Sequence, residues 1–178
     1  NFSRLTDPGG LKYGVVYAPD VRLLGASFAT QLNPRTRLYG ELAYRPNQPL
    51  NLNASDLIAA FVARSPNSLL NRVLGTNALA PGAIFDGYQR FRTSNLVLGG
   101  SRALSGQGAQ GQWRISGEIG YSRVAGLPDP AILRFGRSDD YGAAAVPGVV
   151  CVDPSVAQKA CALDGFVTSA AWGYRLRL

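Results

Sequence analysis

The stretch GQWRISGEIGYSR (111–123) decides the fold class of this chain, because apolar and polar residues alternate along it. A β-strand sends successive side chains to opposite faces, so this pattern predicts a strand with one apolar face and one polar face. The question it raises is whether the apolar face meets a protein core or a lipid bilayer. The apolar set is Trp113, Ile115, Ile119 and Tyr121, and the polar set is Arg114, Ser116, Glu118 and Ser122.

The same alternation recurs elsewhere along the chain. We predict further strands within residues 11–17, 21–32, 36–46, 88–104 and 165–178. Most of these segments are longer than the common strand of about five or six residues. They suit a strand that crosses a membrane, which needs about 9–11 residues.

The segments that join the predicted strands alternate between short and long. Residues 18–20, 33–36 and 105–111 are short joints, whereas 47–87 and 125–164 are long loops. Outer-membrane barrels have short turns at one end and long loops at the other. The chain is therefore predicted to be all-β, an antiparallel transmembrane β-barrel or a fragment of one, with residues 1–178 forming a single domain.

The long loop 47–87 is predicted to contain two short helices, over 55–63 and 66–74. Ser55 and Ser65 are the expected N-caps, and Gly75 is the expected residue after the end of the second helix. Apolar side chains on these helices must be buried, in a barrel mouth, on its rim or against a partner. We expect them to gate or plug the barrel through Leu57, Phe61, Leu70 and Leu74.

The composition is apolar and poor in charge. Hydrophobic residues make up 46% of the chain and charged residues 16%, whereas about 25% is usual for charged residues. The net charge is +7, and the basic residues are almost all arginines spread along the alternating segments. Nucleic-acid binding calls for a clustered basic patch or a recognised motif, so no nucleic-acid partner is expected.

Cys151 and Cys161 are the two cysteines of the chain, and they lie in an irregular stretch without a CxxC motif. This spacing suits a disulfide that closes a short loop, although two free thiols remain the alternative. A disulfide would indicate an oxidising compartment such as the periplasm or the cell exterior.

Two features of the alternating segments favour lipid over a protein core. The polar face carries Gly, Ser and Ala with opposed charges, unlike the Lys/Glu cover of a soluble surface, and aromatic residues lie near strand ends, as in interfacial girdles. A soluble lipid-binding β-barrel, with the apolar face turned inward, is the remaining alternative. The predicted lipid-facing residues are Tyr13, Phe28, Leu42, Trp113, Ile115, Ile119, Tyr121, Trp172 and Tyr174.

Two runs resemble a family of Gram-negative outer-membrane proteins known as domain of unknown function 1302. They are YAPDVRLLGASFAT (17–30) and ELAYRPNQPLNLNASDL (41–57), and GEIGY (117–121) adds to them. The resemblance implies a large barrel in the bacterial outer membrane, porin-like or handling hydrophobic compounds beside envelope export machinery. Members of the family are longer than this sequence, so we expect these residues to be part of a longer polypeptide. No catalytic motif is carried over from the family.

Charged residues on the polar faces are the candidate pore lining. Six are basic and two acidic, which predicts a bias toward anions, because rings of Arg and Lys favour anions. A structural ladder of Arg–Glu pairs, with Arg37, Glu41, Arg114 and Glu118 as its members, is the alternative. The eight residues are Lys12, Arg37, Glu41, Arg45, Arg114, Glu118, Arg175 and Arg177.

Catalysis is not expected from this chain. It contains no His, which rules out Ser-His-Asp and Cys-His arrangements within it, and no phosphate-binding glycine loop is present. Asp139 and Asp140, beside Arg134 and Arg137, are expected to lie in a solvated loop. No metal or cofactor is expected.

The function that these patterns favour is passive passage or handling of a small or hydrophobic solute across the outer membrane. The expected partners are outer-membrane lipid and a solute of unknown identity. The alternative is a membrane-anchored barrel that serves as an interaction subunit for another envelope protein.

Overall fold

The computed structural model describes residues 2–6, 12–61, 69–75, 84–104, 113–137 and 165–178. Antiparallel β-strands dominate, and two short helices lie between the fourth and fifth strands. Neither of these described helices is long and apolar enough to cross a membrane. The elements are β1 (Phe2–Thr6), β2 (Lys12–Val16), β3 (Leu24–Asn33), β4 (Thr36–Asn51), α1 (Ala54–Phe61), α2 (Leu69–Leu74), β5 (Ile84–Asp86), β6 (Tyr88–Leu104), β7 (Trp113–Ala125) and β8 (Ala170–Arg177).

The strands form two sheets. The smaller has the order β2-β1-β5, and the larger has the order β3-β4-β6-β7-β8. Every pairing whose register is resolved is antiparallel. The prediction of an all-β antiparallel fold is thus confirmed at this level. In the described part of the chain β3 and β8 are the outer strands of the larger sheet, and no pairing joins them.

All six predicted strands are present, with shifts of a few residues at their ends. Two strands were not predicted, β1 and β5, and they pair with each other through Arg4 opposite Asp86. The short joint 18–20 connects strands of different sheets, because β2 pairs with β1 in the smaller sheet and β3 belongs to the larger one.

Strand β4 continues through Pro46 and Pro49 to Asn51. Sequence reasoning placed the end of this strand at Pro46, because proline cannot donate to a β-ladder. The registered pairing with β3 stops at Tyr44 opposite Leu24, so the prolines lie beyond the β3 ladder. There a missing N–H removes no hydrogen bond to β3.

The chain divides into two compact units. Unit 1 comprises Asn1–Asp20, Pro49–Arg90 and Leu127–Val167, and unit 2 comprises Val21–Gln48, Phe91–Gly126 and Thr168–Leu178. Strands β4 and β6 contribute residues to both units. The smaller sheet and both helices belong to unit 1, and most of the larger sheet belongs to unit 2.

Unit 1 has a hydrophobic core built from the helices and the segments around them. Its buried apolar side chains are Leu52, Leu57, Ala60, Leu69, Leu70, Leu133, Phe135 and Phe166. In unit 2, by contrast, Phe91 and Val124 are the buried large apolar side chains among the described residues. Other large apolar side chains of unit 2, such as Phe28, Leu42 and Ile119, are exposed.

Helix α1 begins at Ala54, and its N-cap is Asn53, not the expected Ser55. The backbone N–H of Asp56 donates to Asn53 Oδ1 at 3.2 Å, which satisfies a free amide at the helix start. Helix α2 ends before Gly75, as predicted. Gly75 has a φ of 71°, and its N–H donates to the Asn71 carbonyl at 3.0 Å.

Candidate functional site: the two faces of the five-stranded sheet

The register of the larger sheet places the predicted residues on two opposite faces. Across β6, β7 and β8, Leu98 lies opposite Ile119, and Ile119 lies opposite Tyr174. The neighbouring positions on the other face bring Glu118 opposite Arg175. We call these the apolar face and the polar face of the sheet.

The apolar face is exposed even at the centre of the sheet. Leu42 on β4 is 49% exposed, and Ile119 on β7 is 51% exposed, although both strands have partners on either side. Exposure at these positions is therefore not an effect of the sheet edges. All eight predicted lipid-facing residues of this sheet are exposed: Phe28, Leu42, Trp113, Ile115, Ile119, Tyr121, Trp172 and Tyr174. The ninth, Tyr13, is on β2, and its side chain lies outside the described atoms.

Arginines lie toward both ends of the apolar face. On β7 its apolar residues run from Trp113 to Tyr121, a rise of about 26 Å at 3.3 Å per residue. Arg123 follows on the same face, and Arg102 lies on this face opposite Ile115. Tyr121 and Trp172 are paired across β7 and β8 near the Arg123 end. Aromatic residues thus occupy the border between the apolar band and the charges.

Seven of the eight predicted pore-lining residues belong to the larger sheet: Arg37, Glu41, Arg45, Arg114, Glu118, Arg175 and Arg177. Between these charges the polar face carries small residues. Gly99 and Ser101, for example, lie opposite Glu118 and Ser116. The eighth predicted residue, Lys12, is exposed on β2 in the smaller sheet.

Glu118 is the centre of a polar contact on this face. The Tyr39 hydroxyl donates to Glu118 Oε2 at 2.8 Å, and Arg175 Nη2 lies 3.6 Å from the same oxygen. Sequence reasoning named Glu118 and Arg175 as polar-face charges but grouped Glu118 with Arg37, Glu41 and Arg114. It could not identify Tyr39, because β6 lies between β4 and β7, and that strand order is a tertiary property.

Gly99 makes room for this contact. A Cβ at Gly99 would clash with the ring and hydroxyl of Tyr39, so the ring lies directly over the glycine. Gly40 plays the equivalent part on the apolar face, where a Cβ would clash with Phe28 and Leu98. Glycines in strands often mark places where another group approaches the backbone closely.

A shallow concavity of about 440 Å³ lies beside the Glu118–Arg175 pair. Gly120 and Gly173 face each other across β7 and β8 beneath it, and a Cβ at either glycine would meet open space. The polar face is therefore bare of side chains at these two glycines.

Two of the four predicted gating residues, Leu57 and Leu70, are part of the core of unit 1. Leu57 and Leu70 are buried, and the Phe61 ring lies 5.0 Å from the Phe85 ring. The side chain of Leu74 lies outside the described atoms. The helix surfaces that remain exposed carry Ile58 and Val73.

A buried ion pair joins the two long loops within unit 1. Arg134 Nε donates to Asp56 Oδ2 at 2.8 Å, and Arg134 Nη2 bonds to Asp56 Oδ1, with both side chains almost fully buried. The Arg134 guanidinium also lies 5.2 Å from the Phe166 ring centroid. Sequence reasoning named Arg134 as a neighbour of Asp139 and Asp140 and did not predict its burial. Its position within the apolar run AILRF (131–135) was a signal of burial.

Backbone hydrogen bonds reinforce the same junction. The Asn53 N–H donates to the Arg134 carbonyl at 3.0 Å, and the Gly136 N–H donates to the Asn51 carbonyl at 2.8 Å. Asn53 Nδ2 donates to the Gly136 carbonyl at 3.1 Å. Asp139, Asp140, Cys151 and Cys161 lie outside the described residues, so the disulfide stays a prediction.

No cluster of three or more metal-binding side chains occurs among the residues described. Searches of the curated proteins and of the solved structures returned no match. A family model matches residues 2–178, and its description is "Protein of unknown function (DUF1302)". This match covers nearly the whole chain and agrees with the resemblance in the runs 17–30 and 41–57, so the chain belongs to the DUF1302 family.

Proposed function

We propose that this chain is part of a β-barrel of the Gram-negative outer membrane, which lets a small or hydrophobic solute pass without energy input. The observation that carries the proposal is the exposed apolar face on the central strands of the larger sheet. A water-soluble protein rarely exposes a contiguous apolar patch of more than a few hundred Å². Lipid is an environment in which Leu42, Ile119 and their neighbours are stable at the surface.

A closed barrel is part of this proposal. Backbone N–H and C=O groups at an open sheet edge would have no hydrogen-bond partner in the hydrocarbon core, at a cost of several kcal/mol each. β3 and β8 would thus be paired with further strands in the membrane. The apolar face would meet lipid, and the polar face would line a lumen.

The lumen wall in this proposal combines small side chains with a few charges. At Gly120 and Gly173 no side chain projects from the wall into the lumen. Tyr39 and the charged residues project into the lumen and narrow it. Passage would depend on the size and charge of the solute and on the position of the loop helices. The exposed Ile58 and Val73, not the buried Leu57 and Leu70, are the surfaces that α1 and α2 offer for gating.

A second candidate function is an interaction subunit anchored in the membrane. Unit 1 exposes several large apolar side chains, among them Ile58, Ile84 and Ile132. These side chains suit contact with another envelope protein. The barrel would then serve as an anchor without a transport role.

Planar-bilayer conductance of the full-length protein tests the first candidate. We expect discrete current steps, and a change in step size or open time in the variant Ile58→Ser/Val73→Ser, which leaves the buried Leu57 and Leu70 in place. A protein that inserts into the bilayer but passes no current would favour the interaction subunit. Recovery in a detergent-free soluble fraction would contradict both candidates and favour the soluble lipid-binding barrel.

A further inference from the structure

Arginines collect at one end of the polar face. Arg177 lies opposite Ser116, and Arg114 is two residues away from Ser116 on the same face of β7. Arg175 is the next polar-face residue on β8 and lies opposite Glu118. The three side chains therefore belong to the same end of the sheet, where the short segments 33–36 and 105–111 join the strands.

Arg37 belongs to the same end on the far side of β6. The Ala103 N–H donates to the Arg35 carbonyl at 2.8 Å, and Ala103 lies opposite Arg114. A Cβ at Gly100 would lie 3.1 Å from the Arg37 carbonyl oxygen. Strands are about 4.8 Å apart, so the three spacings from β4 to β8 place Arg37 and Arg177 about 14 Å apart in a flat sheet. We call Arg37, Arg114, Arg175 and Arg177 the arginine arc.

The arc has a large excess of positive charge. Among the residues that the structure describes, Glu118 is the carboxylate beside it, and Glu118 already accepts from Tyr39 and pairs with Arg175. Among the described residues, no carboxylate lies within ion-pair distance of Arg37, Arg114 or Arg177. A structural ladder would pair each arginine with an acid, so a ladder alone does not account for the arc.

We propose that the arginine arc is a binding site for an oxyanion, a carboxylate or phosphate group on the transported solute. This proposal rests on the proposed function and names the solute class. The planar guanidinium binds carboxylate and phosphate in a bidentate fashion. Several such groups facing one water-filled space raise the local concentration of anions and exclude cations.

The test uses the full-length protein in planar bilayers of neutral phosphatidylcholine, with a KCl gradient across the membrane. The test variant is Arg37→Gln/Arg114→Gln/Arg177→Gln, which leaves the Glu118–Arg175 pair intact. The matched control is Arg102→Gln/Arg123→Gln, because both arginines lie on the apolar face of the same sheet. Far-UV circular dichroism and insertion yield show whether each variant has folded.

We expect the reversal potential of the unaltered protein to indicate chloride preference. The triple variant should lose most of this preference, and the control should keep it. Inorganic phosphate added to the bath should reduce the chloride current of the unaltered protein and have much less effect on the triple variant. If the protein conducts without anion preference, or if the triple variant keeps the preference, the anion site is contradicted. The proposed pore function is not contradicted by either result.

A second measurement separates this inference from the proposed function. Inorganic phosphate is titrated by calorimetry into the detergent-solubilised protein at low ionic strength, where charge interactions are least screened. If the unaltered protein and the control release heat on binding phosphate and the triple variant does not, the site is supported even if no current is found. If the unaltered protein does not bind phosphate, or if the control loses binding and the triple variant keeps it, the inference is contradicted.

The source of the anion is distinguished by lipid composition. Bilayers that contain phosphatidylglycerol present lipid phosphate to the apolar face, where Arg102 and Arg123 lie. An inhibition by bath phosphate that is equal in neutral and anionic bilayers supports a solute site. Inhibition by bath phosphate can instead be abolished both by phosphatidylglycerol and by the Arg102→Gln/Arg123→Gln change. That result would identify a lipid-headgroup site and overturn the inference.

Discussion

Tyr39 shows how a single glycine positions a polar contact. Its ring lies over Gly99, and its hydroxyl donates to Glu118 at 2.8 Å. The alternation of β4 predicted that Tyr39 is on the polar face. It could not predict the contact, because that depends on which strand lies between β4 and β7.

Gly99→Ala is expected to lower the unfolding temperature of the protein in detergent by a few degrees. The new Cβ displaces the Tyr39 ring and breaks its hydrogen bond to Glu118. Gly120→Ala is the matched control, since a Cβ there meets open space and a glycine in a strand is itself unfavourable. An equal effect of the two substitutions would contradict the close packing at Gly99. Thermal denaturation followed by circular dichroism makes the comparison.

Asp56→Asn is expected to destabilise unit 1 by about 3–5 kcal/mol, the usual cost of breaking a buried ion pair. The substitution leaves the Arg134 guanidinium buried without its counter-charge, and an amide accepts through one oxygen where the carboxylate used two. Hydrogen exchange of the α1 amides measures the local loss. Asp129→Asn is the control, because Asp129 is exposed and its bond to the Ala131 N–H can be kept by an amide oxygen. Unchanged exchange in Asp56→Asn would show that the pair does not hold the junction.

At the scale of the elements, the strands that were predicted are those in which apolar and polar residues alternate over enough positions to be recognised. β7 spans 13 residues and β6 spans 17, so the period of two is unmistakable in both. β5 has three residues, too few to display a period, and in β1 the apolar residues Phe2 and Leu5 fall on opposite faces. β1 pairs with β2 on one side and with β5 on the other, and Arg4 Nε and Asp86 Oδ1, 2.5 Å apart, link β1 to β5.

Ile119→Arg is expected to lower the free energy of unfolding of the membrane-inserted protein by about 2–4 kcal/mol. This is the cost of a cation near the middle of a lipid-facing strand. Ser122→Arg on the polar face of the same strand is the control, and we expect it to have a much smaller effect. Urea denaturation in lipid vesicles measures both. If Ile119→Arg instead increases solubility without loss of stability, the apolar face meets water, and the membrane proposal fails.

At the scale of the whole molecule, the two units differ in where their stability comes from. Unit 1 buries leucines and phenylalanines from its helices and loops, whereas Phe91 and Val124 are the large apolar side chains that are buried among the described residues of unit 2. Hydrophobic burial is the main favourable contribution to folding in water. In the membrane proposed above, lipid would cover the apolar face of this sheet and contribute further burial.

We expect the full-length protein to stay monodisperse in detergent and to aggregate when detergent is removed. Hydrogen exchange in micelles should show slow amides in β4, β6 and β7, because detergent covers their apolar face. Size-exclusion chromatography with light scattering checks the first expectation, and mass spectrometry of peptides checks the second. A monodisperse protein after removal of detergent would contradict a lipid-facing sheet.

The sequence by itself determined the all-β antiparallel class, six of the strands, the two faces of those strands and the family, because alternation and local motifs are properties of neighbouring residues. Tertiary structure decided which strands are adjacent, and hence the Tyr39–Glu118–Arg175 contact, the arginine arc and the Arg134–Asp56 pair. Asp56 and Arg134 are 78 residues apart in sequence. No local pattern encodes such a pairing, because it arises only when two loops close on a shared apolar core.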